Sequence, residues 1–194
     1  MSAKKFKQSS IRNDLKYTSL LAGNTPYVDP VSFESIQTVT VGAGGQTTIS
    51  FTSIPSTYSH LQIRMMALAT ATTIQPQMRF NGDTGTNYSR HSIYTDGAVG
   101  AAYGAASVNQ LVIGGLALGM NTTNPYVCVI DILDYASPSK YTTMRSLSGT
   151  DRNGSAEVGI HTGAWLNTAA VTDISIISSG TYAQYSSFAL YGIK

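Results

Sequence analysis

The sequence predicts an all-β fold: an antiparallel β-sandwich of jelly-roll type with an extended N-terminal arm. Three observations predict it. From Phe33 onward apolar and polar residues alternate with a period of two rather than three or four. The alternating segments are short, about ten in number, and separated by Gly, Asn, Asp and Pro turn signals at fairly even spacing. No segment carries a convincing amphipathic helical pattern, so the helices that an α/β fold places between strands are missing. No fixed period repeats along the chain, which argues against a propeller or solenoid.

Residues 1–32 read as the arm and 33–194 as the β-domain. The arm is polar and basic, without strand alternation. Lys4, Lys5, Lys7, Arg12 and Lys16 outnumber Asp14 and Asp29, so the arm holds the chain's positive excess, its overall net charge being +2. Phe6, Ile11, Leu15, Tyr17, Leu20 and Leu21 are scattered among these charges. Ile11, Leu15 and Tyr17 allow a helical turn or two, which Asn24-Thr25-Pro26 and Asp29-Pro30 then break. Alone, such a segment buries too little surface to offset its ordering entropy. These basic and apolar residues are therefore expected to bind a partner.

In the domain, Ile36 to Val41 alternates, Gly42-Ala43-Gly44-Gly45 turns the chain, and Thr47 to Thr52 alternates again, which reads as a hairpin. Leu61 to Met66 is the next strand. Gln77 to Phe80 runs into Asn81-Gly82-Asp83, a strong turn signal because Asn and Gly tolerate positive φ. Tyr88 to Thr95 follows, closed by Asp96-Gly97. Residues 98–106, Gly and Ala with one Val and one Tyr, read as a mobile loop. Val108 to Ile113 is a strand, and Val127 to Leu133, the most apolar, is expected to be central. Tyr141 to Leu147, Val158 to Leu166, Ile174 to Ile177 and Phe188 to Ile193 complete the set.

The titratable residues point to no catalytic, cofactor or metal site. His60, His91 and His161 lie far apart, with no pair at metal-ligand spacing. Asp131 and Asp134 project from opposite faces of an extended strand roughly 10 Å apart, so one cleft cannot easily use both as glycoside hydrolysis requires. Asp134 is better read as the start of a turn. Asn81 to Asn87 is rich in oxygen ligands but lacks the spaced acids of a calcium loop. Neither Gly42–Gly45 nor Gly114-Gly115 has the Lys and following helix of a phosphate loop. Ser148-Gly149 and Ser155 have no nucleophile-elbow context. Cys128 is the only cysteine. An internal disulfide is therefore excluded, and its apolar setting suits a buried thiol rather than a nucleophile.

Composition gives the remaining indications. Charged residues are 11% of the chain, well below the usual quarter, so little like-charge repulsion keeps copies apart. Twelve tyrosines are present, many near turns. Tyr94, Tyr103, Tyr182 and Tyr185 are expected to make surface contacts, since tyrosine offers large contact area at small entropy cost. No apolar stretch is long enough for a membrane helix, and no apolar run follows the basic N-terminus as in a secretory signal. The expected site of folding is a cytoplasm.

Four stretches carry a family resemblance: Ile36 to Leu61, with Val39-Thr-Val-Gly42 and Ile54-Pro-Ser-Thr-Tyr58; Phe80-Asn-Gly-Asp-Thr-Gly-Thr-Asn-Tyr88; Ile132-Leu-Asp-Tyr-Ala136 with Lys140-Tyr-Thr-Thr143; and Ser187-Phe-Ala-Leu-Tyr-Gly-Ile-Lys194. In order and spacing they resemble virion structural modules of tailed bacteriophages, the head-decoration, head-fibre and tail-fibre β-modules. The resemblance covers about residues 34–194. It implies a non-enzymatic virion component without a cofactor, assembled in the host cytoplasm as a homo-oligomer, with a trimer favoured. The first expectation is a capsid-associated decoration (cement) or head-fibre protein whose arm binds the major capsid protein or another virion protein. The alternative is a tail fibre or adaptor contacting the host surface or its glycans. Neither membrane nor specific nucleic acid is expected as a partner.

Overall fold

The computed structural model describes residues 33–194, apart from 71–72, 116, 119–121, 152 and 155. The chain divides at Ser32/Phe33. The arm and every contact expected of Lys4 to Leu21 lie outside the described residues.

The domain is a β-sandwich, and no helix occurs among the described residues. The strands are β1 (Phe33–Thr40), β2 (Gln46–Phe51), β3 (His60–Ala67), β4 (Thr73–Ile74), β5 (Pro76–Phe80), β6 (Tyr88–Thr95), β7 (Gly100–Val108) and β8 (Leu111–Val112). They continue as β9 (Ala117–Leu118), β10 (Tyr126–Leu133), β11 (Thr142–Thr150), β12 (Glu157–Trp165), β13 (Ile174–Tyr182) and β14 (Ser187–Ile193). One sheet has eight strands in the order β1-β14-β3-β10-β11-β12-β6-β7, the other four in the order β2-β13-β5-β8; β4 and β9 form a separate pair. All pairings are antiparallel.

The period-two alternation sorts side chains between the faces. In β10, Tyr126, Cys128, Ile130 and Ile132 point into the core while Val127 and Val129 point out. Inward residues of both sheets, among them Phe51, Ile63, Phe80, Ile130, Trp165, Ile176 and Phe188, form one apolar cluster. As its composition predicts, β10 is interior to its sheet, flanked by β3 and β11.

Three expectations need correction. Val108 to Ile113 is not one strand: Val108 ends β7 in the eight-stranded sheet, and Leu111–Val112 is β8 in the four-stranded one. β1 and β2 are not a hairpin: β1 pairs with β14 and β2 with β13, in different sheets. The glycine-rich turn instead carries the chain from one layer to the other. Gly45 adopts φ +66° there, and a Cβ on it would lie 2.5 Å from Thr181 Cγ2 and 2.9 Å from the Tyr182 carbonyl, so the crossing needs glycine. Residues 98–106 are not a loop: from Gly100 they form β7, paired along β6 at the sheet edge. Backbone hydrogen bonding there outweighs the weak strand propensity of Gly and Ala. Gly104 also leaves its place open to the His91 ring, 2.5 Å from where a Cβ would stand.

The Asn81-Gly82 turn forms as predicted, with φ of 49° and 65°. It carries the chain from β5 in the small sheet to β6 in the large one. Asn81 also ties the turn to the segment before β13: its Oδ1 accepts from the Thr172 and Asp173 amides (2.9 and 3.1 Å), and its Nδ2 donates to the Ala170 carbonyl (2.8 Å). Asn81→Ala removes these bonds and leaves a Cβ residue at positive φ without local compensation. It is expected to cost about 2 kcal/mol, read as a lowered urea midpoint with unchanged slope.

Candidate assembly surface

The expected surface tyrosines divide. Tyr185 is exposed, at φ 71° in the turn before β14. Tyr94 and Tyr103 are half-buried and meet edge to face at 6.2 Å, with the Arg90 guanidinium 5.9 Å from the Tyr103 ring. Tyr182 is a correction, being fully buried. It ends β13 on the inward face, its ring lies 5.0 Å from Phe188, and burial raises its pKa.

The residues weighed for chemistry hold structural positions. Asp131 accepts from the Arg145 guanidinium at 2.9 Å and from Gln62 at 2.9 Å. Asp134 has φ 57°, its carbonyl accepts the Ser137 amide at 3.0 Å, and its carboxylate pairs with Lys140 at 3.3 Å. It thus starts a turn. Cys128 is buried, its thiol donating to the Ile113 carbonyl at 3.3 Å, and burial pushes its pKa up to about 12. In the 81–87 loop, Asp83 accepts from the Trp165 indole (2.8 Å), Asn87 (2.9 Å) and the Gly85 amide (2.8 Å). These bonds, Trp165's foremost, hold its carboxyl below the usual range. A recess of about 260 Å³ between the β6–β7 and β11–β12 turns carries Asp96 and Asp151. Both are engaged locally: Asp96 caps the Ala98 and Val99 amides, and Asp151 the Gly154 amide. Among the described residues no group of three or more His, Cys, Asp and Glu is placed to hold a metal ion.

The inner face of β10, β11 and β12 is unusually polar. Tyr126 donates to Ser148 Oγ at 2.8 Å and accepts from the Gly115 amide at 3.0 Å. His161 Nδ1 lies 2.8 Å from Ser92 Oγ. Glu157 and His161 are four residues apart on one strand, roughly 13 Å along it, too far to exchange a proton directly. Burial raises the Glu157 pKa and lowers that of His161 to about 4.

The outer face of the eight-stranded sheet has a different character. Val127, Val129, Leu147, Val158, Ile160 and Ile93 all project from it, with 51, 42, 57, 53, 56 and 68% of their surfaces exposed. Strand register puts them in two adjoining rows across the sheet. Val129, Leu147, Ile160 and Ile93 are level with one another, as are Met66, Val127, Gly149 and Val158. A shallow hollow of about 620 Å³ lies over β14, β3, β10 and β11, with Arg64, Met66, Val127, Val129 and Ala189 among its walls. Alongside runs a polar row in which Gln62, Asp131 and Arg145 are hydrogen-bonded in series. Arg64 lies beside the Tyr191 and Phe33 rings, 5.0 and 5.6 Å from their centroids.

Sequence reasoning missed this surface. The apolarity of Val127 to Leu133 on both faces read as burial, although one face of an antiparallel sandwich sheet ordinarily meets water. That two-sided apolarity was the available signal. The six outward side chains form a contiguous apolar patch rather than singly scattered apolar residues, which need no explanation.

No family model matches the chain, and no curated protein or solved structure matches it.

Proposed function

We propose that the chain is a structural component of a tailed-bacteriophage particle, acting through contacts with other protein surfaces and making or breaking no bond. The observation that carries this reading is the apolar outer face of the eight-stranded sheet, a surface suited to protein contact in a domain otherwise poor in charge. The four stretches resembling phage virion modules supply the particle. The strand order also supports the reading. β1-β14-β3-β10 and β2-β13-β5-β8 interleave the two ends of the chain across two layers, as in a jelly roll, and β11, β12, β6 and β7 extend the first layer.

The finer assignment is a capsid decoration or head-fibre protein, with the basic segment 1–32 as anchor to the major capsid protein or another virion protein. Its charge suits acidic patches on a shell. The full chain is then expected to co-sediment with purified particles, and a chain lacking residues 2–30 to remain in the supernatant with an unchanged far-UV spectrum. Full binding by the truncated chain contradicts the anchor. A tail-fibre or adaptor role would instead give saturable binding on a glycan array, through exposed residues such as Tyr185.

A further inference from the structure

We infer that the outer face of the eight-stranded sheet packs against the same face of a second copy of this chain, about a two-fold axis running along the strands between β10 and β11. This pairing deepens the proposed assembly role and rests on it.

The sheet divides evenly at that line, with β1, β14, β3 and β10 on one side and β11, β12, β6 and β7 on the other. Rotation about it sets β10 over the second copy's β11, β3 over its β12 and β14 over its β6. Side chains near the axis then meet suitable partners. Val129, level with Leu147, faces the second copy's Leu147, and Val127 faces its Gly149. Farther out, Met66 faces Val158, Arg64 faces Ile160, and Ala189 faces Ile93, so the most exposed of the large apolar side chains in the two rows meets a small one. The raised half of the face thus enters the hollow of the other half.

Charge selects the axis. Asp131 and Arg145 are level across β10 and β11, so the proposed rotation sets each carboxylate against the second copy's guanidinium and closes a ring of four alternating charges. An axis along β10 would stack Asp131 on itself, and one along β11 would stack Arg145 on itself, both repulsive. Size fits as well. Eight strands at about 4.8 Å spacing and eight residues at about 3.3 Å rise give a face of about 1,000 Å², enough for the roughly 800 Å² per partner of a stable interface. Sheets pack face to face at a modest angle in this way inside sandwiches. A three-fold assembly needs two different patches per subunit, whereas this single surface complements itself, so the pairing departs from the trimer that the resemblance implies.

Sedimentation velocity of the full chain tests the pairing. The wild type is expected to sediment as a dimer. Leu147→Asp, an exposed substitution beside the axis, is expected to raise the dissociation constant at least about 100-fold with an unchanged far-UV spectrum. Asp131→Arg is expected to weaken the dimer, and the double exchange Asp131→Arg with Arg145→Asp to restore it, because alternation returns. A wild-type monomer, a trimer, or a Leu147→Asp variant that dimerises like wild type would each overturn the pairing. None of these touches the virion reading, which depends on particle binding.

Discussion

Trp165→Ala is expected to destabilise the domain by about 4 kcal/mol or more. Trp165 closes β12, fully buried, and its ring packs at 5.7 Å from Phe80 and 6.5 Å from Tyr88. Truncating a buried Trp to Ala ordinarily costs about 3–5 kcal/mol, the lost transfer energy plus the cavity left behind. Here the indole N–H also holds the Asp83 carboxylate at 2.8 Å, and Asp83 in turn orders Gly85 and Asn87. The same substitution therefore loosens the crossover between the sheets. Typical domain stabilities are about 5–15 kcal/mol, so roughly a quarter to four-fifths of the margin goes. Trp165→Phe keeps much of the packing and loses only the donor, and should cost about 2 kcal/mol. Because this is the sole tryptophan, urea unfolding is followed by circular dichroism rather than fluorescence. Equal losses in the two variants would contradict this division between packing and hydrogen bond.

Acid is expected to destabilise the domain through His161 by about 3 kcal/mol. The imidazole is completely buried and burial lowers its pKa from 6.5 to about 4. A depressed pKa means that the unfolded chain takes up the proton first. The stability linked to neutral His161 is fully present above about pH 6.5, declines as pH falls, and is lost below about pH 4. The shift of about 2.5 units corresponds to about 3 kcal/mol. Glu157 works in the opposite direction: burial raises its pKa above 4.5, so its linked stability is present below 4.5 and is lost as pH rises through the raised value. Two substitutions separate the effects. The stability difference between wild type and His161→Gln should change by about 3 kcal/mol from pH 7 to pH 4, in the direction that favours the variant in acid. Glu157→Gln should gain relative to wild type as pH rises. A pH-independent difference for His161→Gln would contradict the assignment.

Much of the fold was legible because period-two alternation and turn chemistry are local. Asn81-Gly82 required positive φ and has it, and the apolarity of Val127 to Leu133 placed β10 within its sheet. What failed depended on pairing at a distance. The turn at Gly42–Gly45 looks alike in sequence whether it closes a hairpin or crosses between layers, and only the far partners β14 and β13 decide. β7 has few strand-forming side chains, Tyr103 and Val108, but has β6 beside it. Tyr182 follows a turn-like Ser-Gly-Thr stretch yet occupies an inward position. The apolar outer face escaped notice because sequence states that a side chain is apolar, not whether the side of the sheet it takes is covered.

Cryo-electron microscopy of purified particles from a lysate containing the chain tests most directly whether its role is to pack against other proteins. The expected result is density for residues 33–194 at symmetry-related positions, with Leu147, Ile160 and Ile93 covered by a second copy. Particles without the chain, or with it bound and that sheet face open to water, would contradict the account.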